Sequence, residues 1–467
     1  MKKCLLLLSL LAVSGCVVTP GQHTVGANGL PTKSYQFVQD YFAAPTVLQT
    51  TVPEMKTPGY WISRHADPDK VVLTSEQVAK FNAEVVKEDR LRDDISVFSE
   101  TYTGSKVKDS LTRQLAGLRA SGFFADSGEK ADVAFFGRLE QQLDISSIPT
   151  TVTVRFGFVT QNADQRLMPT DEGLFEKRGD IDFDELQNSA LDVGAPIAIL
   201  HQSKDGAWLY AVSPSSSGWV KADRVGLCAR SEIVSLLAKQ TSVVVIAAKA
   251  DIFRDSAMRK YSGFARMGSA FFVMSGKVGD AYEVYLPTRI TDGTLALVSG
   301  YIPAEQVHEG FLPYTPRVVL NQAFKLLNTP YGWGGANGEQ DCSQFLQEVF
   351  ATVGLQLPRN SSQQAKVGKG LADFTPETLP ESKLKTLLTK GSGATTLLYM
   401  KGHILLYLGL ENGTPYAIHD VWAFRENIAG KDVPKLINRV AVSELTLGKG
   451  SKKGSLVERL KAIRLVE

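Results

Sequence analysis

One cysteine in this chain sits where a nucleophile would. The run Pro330-Tyr331-Gly332-Trp333-Gly334-Gly335 precedes Asp341-Cys342-Ser343-Gln344-Phe345, and its glycines permit tight backbone turns that other residues resist. After Cys342, residues Phe345, Leu346, Val349 and Phe350 fall on one face of a helix, and Gly354 fits its C-terminal cap. Cys342 is therefore expected in the first turn of a buried helix, whose positive end favours thiolate and lowers the thiol pKa. The same helix-start amides could hold an oxyanion. A thiol nucleophile needs a base, and the base needs an orienting partner. Two of the six histidines follow Cys342, both in strand-like sequence: Gly402-His403-Ile404-Leu405-Leu406-Tyr407-Leu408-Gly409 and Tyr416-Ala417-Ile418-His419-Asp420-Val421-Trp422. Strand side chains alternate faces, so a two-residue turn at Asn412-Gly413, which that dipeptide favours, would pair Leu406 with His419 and separate the histidines. If both serve Cys342, the loop is longer or a bulge shifts the register.

The motifs Tyr331-Gly332-Trp333-Gly334-Gly335, Asp341-Cys342-Ser343, Leu357-Pro358-Arg359-Asn360-Ser361 and Gly402-His403-Ile404 together resemble the NlpC/P60 family of cell-wall cysteine peptidases, over about residues 315–467. The resemblance implies a papain-like α+β fold with a Cys-His-His triad: Cys342 the nucleophile, His403 the general base and acid, His419 the group that orients His403. The two histidines stand further apart than is usual in that family, which leaves Asp420 as an alternative third member. With its upstream regions the chain also resembles bacterial γ-D-glutamyl-L-diamino acid endopeptidases. These cut between D-glutamate and the diamino acid (diaminopimelate) of peptidoglycan stem peptides, and those with SH3 domains favour a free N-terminal L-Ala. In that group the acidic residue before the cysteine and the serine after it bind the substrate amine, here Asp341 and Ser343. A carboxylate beside the nucleophile can pair with an ammonium; Asp341 reads equally as a helix N-cap. Ser361 is a further substrate contact by this reading, and Trp333 either walls the cleft or packs. The segment Arg166-Leu167-Met168-Pro169-Thr170 is expected to close one side of the cleft. Stem peptides or released muropeptides are the implied partners. Two other readings stay open: an amidase or acyltransferase of the same fold, and a wall-binding lipoprotein with an inactive peptidase domain.

The elements that must position these residues make a multidomain chain. Residues 36–147 read as an α-helical N-terminal region, with Val78, Phe81, Val85 and Val86 at helical spacing behind Thr74-Ser75-Glu76-Gln77, and the pattern repeated over Val107–Leu118. From residue 148 the period changes. Alternation over Thr150–Phe158, then short strands at Pro196–His201, Ala207–Ser213 and Gly218–Lys221 with Gly/Ser/Asp turns, predicts a small β barrel over 148–235. Its Trp208 strand and closing Gly218-Trp219-Val220 resemble bacterial SH3 domains. A second SH3-like barrel is expected over 240–310, from strands at Ser242–Ala247, Ala270–Ser275, Tyr282–Leu286 and Gly300–Pro303. Pro313-Tyr314-Thr315-Pro316 links it to the last domain, 315–467, which opens with a helix at Val318–Leu327.

Lys2-Lys3 and the apolar run from Leu5 read as a secretory signal over residues 1–15, too short to span a bilayer as a helix. Val13-Ser14-Gly15-Cys16 resembles the bacterial lipobox, which implies lipidation at Cys16 and a flexible tether over 16–35. The implied location is a bacterial membrane facing the periplasm or wall, with the outer membrane favoured because Val17, not aspartate, follows Cys16. Cys4 leaves with the signal, so only Cys228 and Cys342 remain for a disulfide. Cys342 suits catalysis better, and Cys228 reads as a small buried residue ending a β domain. No cofactor or metal is expected, since Cys342, His403 and His419 lack the close ligand pairs of structural zinc sites. His65 and Asp67 read as solvated, His201 and His308 as barrel packing. A net charge of +2 over 467 residues gives no support to nucleic-acid binding.

Overall fold

A computed structural model of the chain describes residues 46–87, 90–239 and 241–467. The signal, Cys16 and the tether lie outside the described residues. The helical region does not form one unit; its halves join different cores. Helix α1 (Ser75–Lys87) sends Val78, Phe81 and Val85 into the core of the C-terminal domain, together with Met55, Trp61 and Ile62. Helices α2 (Gly104–Ser121) and α3 (Val133–Leu143) instead pack Leu111, Leu115, Phe136 and Leu139 against the first barrel. Each half has too little apolar surface to close a core alone, so each buries its face on the neighbour it meets.

The first barrel is a seven-stranded antiparallel sheet. The expected strands are present as Arg155–Val159, Pro196–Gln202, Trp208–Val212 and Ser217–Lys221, and Trp208, Tyr210 and Trp219 fill the core it shares with α2 and α3. A second seven-stranded antiparallel sheet follows, with its own core of Val243, Val245, Ile252, Phe271, Val284 and Ile302. Two of its strands, Lys249–Phe253 and Tyr261–Arg266, were not legible in the sequence. Arg266 ties the sheets together from a buried position: its guanidinium donates to Asp192 of the first at 2.9 Å and stands 3.8 Å from Glu348 of the C-terminal domain.

The C-terminal domain begins with α4 (Pro316–Lys325), capped by Thr315 Oγ1 accepting from the Val318 amide at 3.2 Å. Then come α5 (Cys342–Ala351) and the short α6 (Ser361–Gln364). Its sheet has six antiparallel strands, β1 (Lys369–Asp373), β2 (Thr396–Met400), β3 (His403–Glu411), β4 (Thr414–Ile428), β5 (Lys431–Glu444) and β6 (Ala462–Leu465), in the order β1-β6-β2-β3-β4-β5. Helix α5 lies on one face, where Phe345, Leu346 and Val349 meet Ile404, Leu406, Ile418 and Val442.

Candidate active site

The hairpin of β3 and β4 settles the parity question. Asn412-Gly413 does make the tight turn, with Glu411 paired to Thr414. A bulge at Leu408 then shifts the register, so that Leu406 faces Ile418 and not His419. Gly409 accommodates the kink at φ +134°, a conformation that L side chains rarely adopt. The shift brings the two imidazoles to one face: His403 Nε2 lies 2.7 Å from His419 Nδ1, and His419 Nε2 lies 2.9 Å from Ser443 Oγ on β5. His419 is fully buried. Asp420, its neighbour, points to the other face, toward α5. It too is fully buried, and neither carboxyl oxygen completes a hydrogen bond with a described residue.

Cys342 occupies the first turn of α5 and is buried. The backbone amide of Ile404, the residue after His403 on β3, acts on its thiol. Cys228 also carries a free thiol, at the end of the strand Val225–Cys228, where burial raises its pKa to about 12.

Helix-start electrostatics do not set the Cys342 thiol as expected. Burial, and then the Asp341 carboxylate, push its pKa up; only the Ile404 amide and Arg359 oppose them. The His403 ring moves the other way, to about 3, from desolvation first and Arg459 second, against Asp341. His419 is held well below its ordinary value by burial and by His403. At neutral pH the thiol and both imidazoles are therefore uncharged.

Asp341 is the N-cap of α5. Its Oδ1 accepts from the amides of Ser343 (3.1 Å) and Gln344 (2.9 Å) and from Ser343 Oγ (2.9 Å). Arg359, which sequence reasoning passed over inside its motif, clasps the same carboxylate at 3.1 and 2.7 Å and holds Asp341 below its ordinary pKa against the cost of burial. Arg359 also donates to Ser343 Oγ at 3.0 Å and, through Nε, to Ser189 Oγ of the first barrel at 3.0 Å. Asp341 and Ser343 are thus engaged with each other and with Arg359. Ser361, half-buried, opens α6, and Gln364 of that helix donates to the Ser343 and Pro358 carbonyls at 2.8 and 2.9 Å.

Two glycines bring the first barrel up to this site. Gly334 and Gly335 have φ of +60° and +83°, and a Cβ on them would meet Gln187 at 2.9 Å and Ala190 Cβ at 2.8 Å. Beside them Trp333 Nε1 donates to the Asp184 carbonyl at 3.1 Å. Phe183 packs edge-on against Trp333 and Trp422, with ring centroids 5.2 and 5.3 Å away. A cleft of about 270 Å³ opens here, lined by Tyr331, Trp333 and Trp422 on one side and by Asp164, Arg166 and Asp184 of the barrel on the other. The barrel segment reaching over the site is therefore the loop that carries Phe183. The segment Arg166–Thr170 was expected there, but Met168 is fully buried in the barrel core and only Arg166 reaches the cleft, paired to Asp184 at 2.8 Å.

The C-terminal domain of this multidomain chain thus carries a helix-start thiol, a His403–His419–Ser443 relay on neighbouring strands and a cleft shared with the first barrel. Residues 328–420 match the NlpC/P60 family and residues 174–221 match the SH3 domain (SH3b1 type), so the chain carries an NlpC/P60 domain and an SH3 domain. A probable endopeptidase of Corynebacterium glutamicum (strain R) is 27% identical over 26% of this chain and 54% of its own length. A gamma-D-glutamyl-L-lysine dipeptidyl-peptidase of Bacillus subtilis is 36% identical over 20% of this chain and 28% of its own. The chain spans 54% and 64% of the two Corynebacterium glutamicum relatives it matches. An NlpC/P60 endopeptidase from Photobacterium damselae subsp. piscicida shares the fold, with a TM-score of 0.72 over 91% of this chain and 98% of that chain at 18% identity.

Proposed function

We propose that the protein is a cell-wall peptide hydrolase that cleaves the γ-D-glutamyl-L-diamino acid bond of peptidoglycan stem peptides through Cys342, His403 and His419. The observation that supports the reading is the relay from His403 through His419 to Ser443, in a domain whose buried helix-start thiol feels the amide of Ile404, the residue after His403. The productive tautomer has His403 Nε2–H donating to His419 and His419 Nε2–H donating to Ser443, which leaves His403 Nδ1 free to accept the thiol proton. The neutral resting state favours proton transfer concerted with attack over a preformed ion pair. The thiolate adds to the γ-D-glutamyl carbonyl, His403 protonates the leaving amine, and water hydrolyses the thioester. Because Asp341 takes the Ser343 and Gln344 amides, the oxyanion falls to the Cys342 amide, with the Tyr331 hydroxyl as second donor.

A free N-terminal amine on the substrate suits the cleft, whose barrel side carries Asp164 and Asp184. Asp341 acts on that amine through space, since its lone pairs already serve Arg359 and the helix start. Trp333 walls the cleft, and Ser343 and Ser361 are read as further substrate contacts. The second sheet is read as a further SH3-like barrel, the catalytic domain as papain-like, and the chain as exported and held to a membrane by lipid at Cys16. The test is product analysis on L-Ala-γ-D-Glu-diaminopimelate, with the amine free and acetylated. Release of diaminopimelate from the free form, and much less from the blocked form, is expected. Intact tripeptide in both would overturn the specificity, and cleavage at another amide would favour an amidase of the same fold.

A further inference from the structure

Strands β4 and β5 continue past the sheet as a two-stranded arm whose outer part, beyond Trp422, the site does not use. From Trp422 to Ile428 it runs roughly 20 Å at about 3.3 Å per residue. Its tip is fastened to the turn at 448–454: Asn427 Nδ2 donates to the Gly450 carbonyl at 3.2 Å, and the Lys452 amide donates to Asp432 at 2.9 Å. That fastening gathers Lys431, Lys449, Lys452 and Lys453 at one end of the domain, all exposed. None of the four has an ion-pair partner among the described residues, whereas Arg425 and Lys435 of the same arm are paired to Asp432 and Glu426. The carboxylates among them are engaged elsewhere: Asp432 is paired to Arg425 and takes the Lys452 amide, and Glu458, which feels Lys449, is engaged by Ser455. Ile428, 43% exposed, stands at the tip among these lysines. An apolar tip ringed by unpaired ammonium groups fits an anionic lipid surface, where each lysine adds attraction and a branched apolar side chain can enter the headgroup layer.

The chain enters the described fold beside this arm: the Thr46 amide donates to the Leu436 carbonyl at 2.6 Å and Arg439 donates to the Thr46 carbonyl at 3.1 Å. A stretch as long as Cys16 to Thr46 reaches at most about 100 Å, so a lipid at Cys16 would limit distance from a bilayer without setting orientation. We infer that the lysine-ringed tip of the β4–β5 arm is a docking surface for an anionic phospholipid leaflet, which orients the catalytic domain with its cleft held off the bilayer. The choice of lipid over another polyanion draws on the anchored reading above; the charge pattern does not depend on it.

The test uses the full chain carrying Cys16→Ser, so that no acyl chain contributes, in co-sedimentation with phosphatidylethanolamine vesicles with and without 30% phosphatidylglycerol. Binding to the anionic vesicles alone is expected, reduced at least tenfold in 0.5 M NaCl and by the combined substitutions K431E, K449E, K452E and K453E. Those substitutions should leave hydrolysis of a soluble tripeptide and the melting temperature unchanged. Equal binding to both vesicle types, or undiminished binding by the charge-reversed variant, would overturn the assignment. So would charge-dependent binding to isolated peptidoglycan sacculi but not to anionic vesicles. Loss of hydrolysis by Cys342→Ala is independent of all of these, so failure of the docking surface and failure of the catalytic reading are distinguishable.

Discussion

Burial sets the charge states around Cys342. With the thiol raised and both imidazoles lowered, the proposed proton transfer depends on the tautomer that Ser443 stabilises through His419. His419→Ala should lower kcat about 100-fold and Ser443→Ala about 10-fold, with KM little changed, as loss of an orienting partner does; steady-state kinetics on the tripeptide check both. Asp420 poses a different question, as a buried carboxyl that no side chain pairs. Burial first, then Asp341, Glu348 and Glu339, raise its pKa well above the ordinary value, against the Val421 amide alone, and Tyr331 and Cys342 also feel its charge. Because the folded state holds this proton more tightly, Asp420 costs stability increasingly as pH rises from the unfolded carboxylate pKa toward the folded value. Asp420→Asn should therefore melt at the same temperature as the parent near pH 4 and progressively higher than it toward pH 8, in a thermal unfolding series across pH.

Helix α5 is positioned by a clasp that ties three segments together. Arg359 joins the Asp341 cap, Ser343 and Ser189, all from buried positions. Arg359→Met would leave the Asp341 carboxylate buried and unpaired, and should cost about 3–5 kcal/mol in denaturant unfolding. The helix itself was legible, because its apolar face repeats at helical spacing and an aspartate precedes it. The strands with both histidines were legible from alternation, and the parity conflict announced a register shift before any coordinate. Where the shift falls was not legible: Leu408 is one apolar residue among many, and Gly409 marks the kink only once the pairing is known. Ser443 lay in an unremarkable alternating strand. Arg359 lay inside a quoted motif, and only burial reveals that it answers Asp341. The first-barrel strands were visible because Gly/Ser/Asp turns punctuate them; two strands of the second sheet lack that punctuation.

At the scale of the whole molecule, the barrel and the catalytic domain share one cleft. Leu167 and Met168 look exposed in a loop-like string, which points to Arg166–Thr170 as the segment over the site, but both pack in the barrel core. Phe183, which meets Tyr331, Trp333 and Trp422, sits in an acidic stretch that carries no period. Phe183→Ala should raise KM for the tripeptide about 10-fold with kcat largely kept, because it removes the ring that holds Tyr331, Trp333 and Trp422 in the cleft wall and leaves the thiol and the relay in place. The division of the N-terminal helices between two cores has the same origin: amphipathic helices identify a buried face, and the partner that buries it is decided by the assembled fold.

The claim on which the rest depends is that the sulfur of Cys342 is acylated by the substrate. Intact-protein mass spectrometry after acid quench during turnover of L-Ala-γ-D-Glu-diaminopimelate tests it directly. The expected result is a single L-Ala-γ-D-Glu adduct that maps to the peptide bearing Cys342 and is absent, with all diaminopimelate release, in Cys342→Ala. Diaminopimelate release that persists in Cys342→Ala would contradict the account.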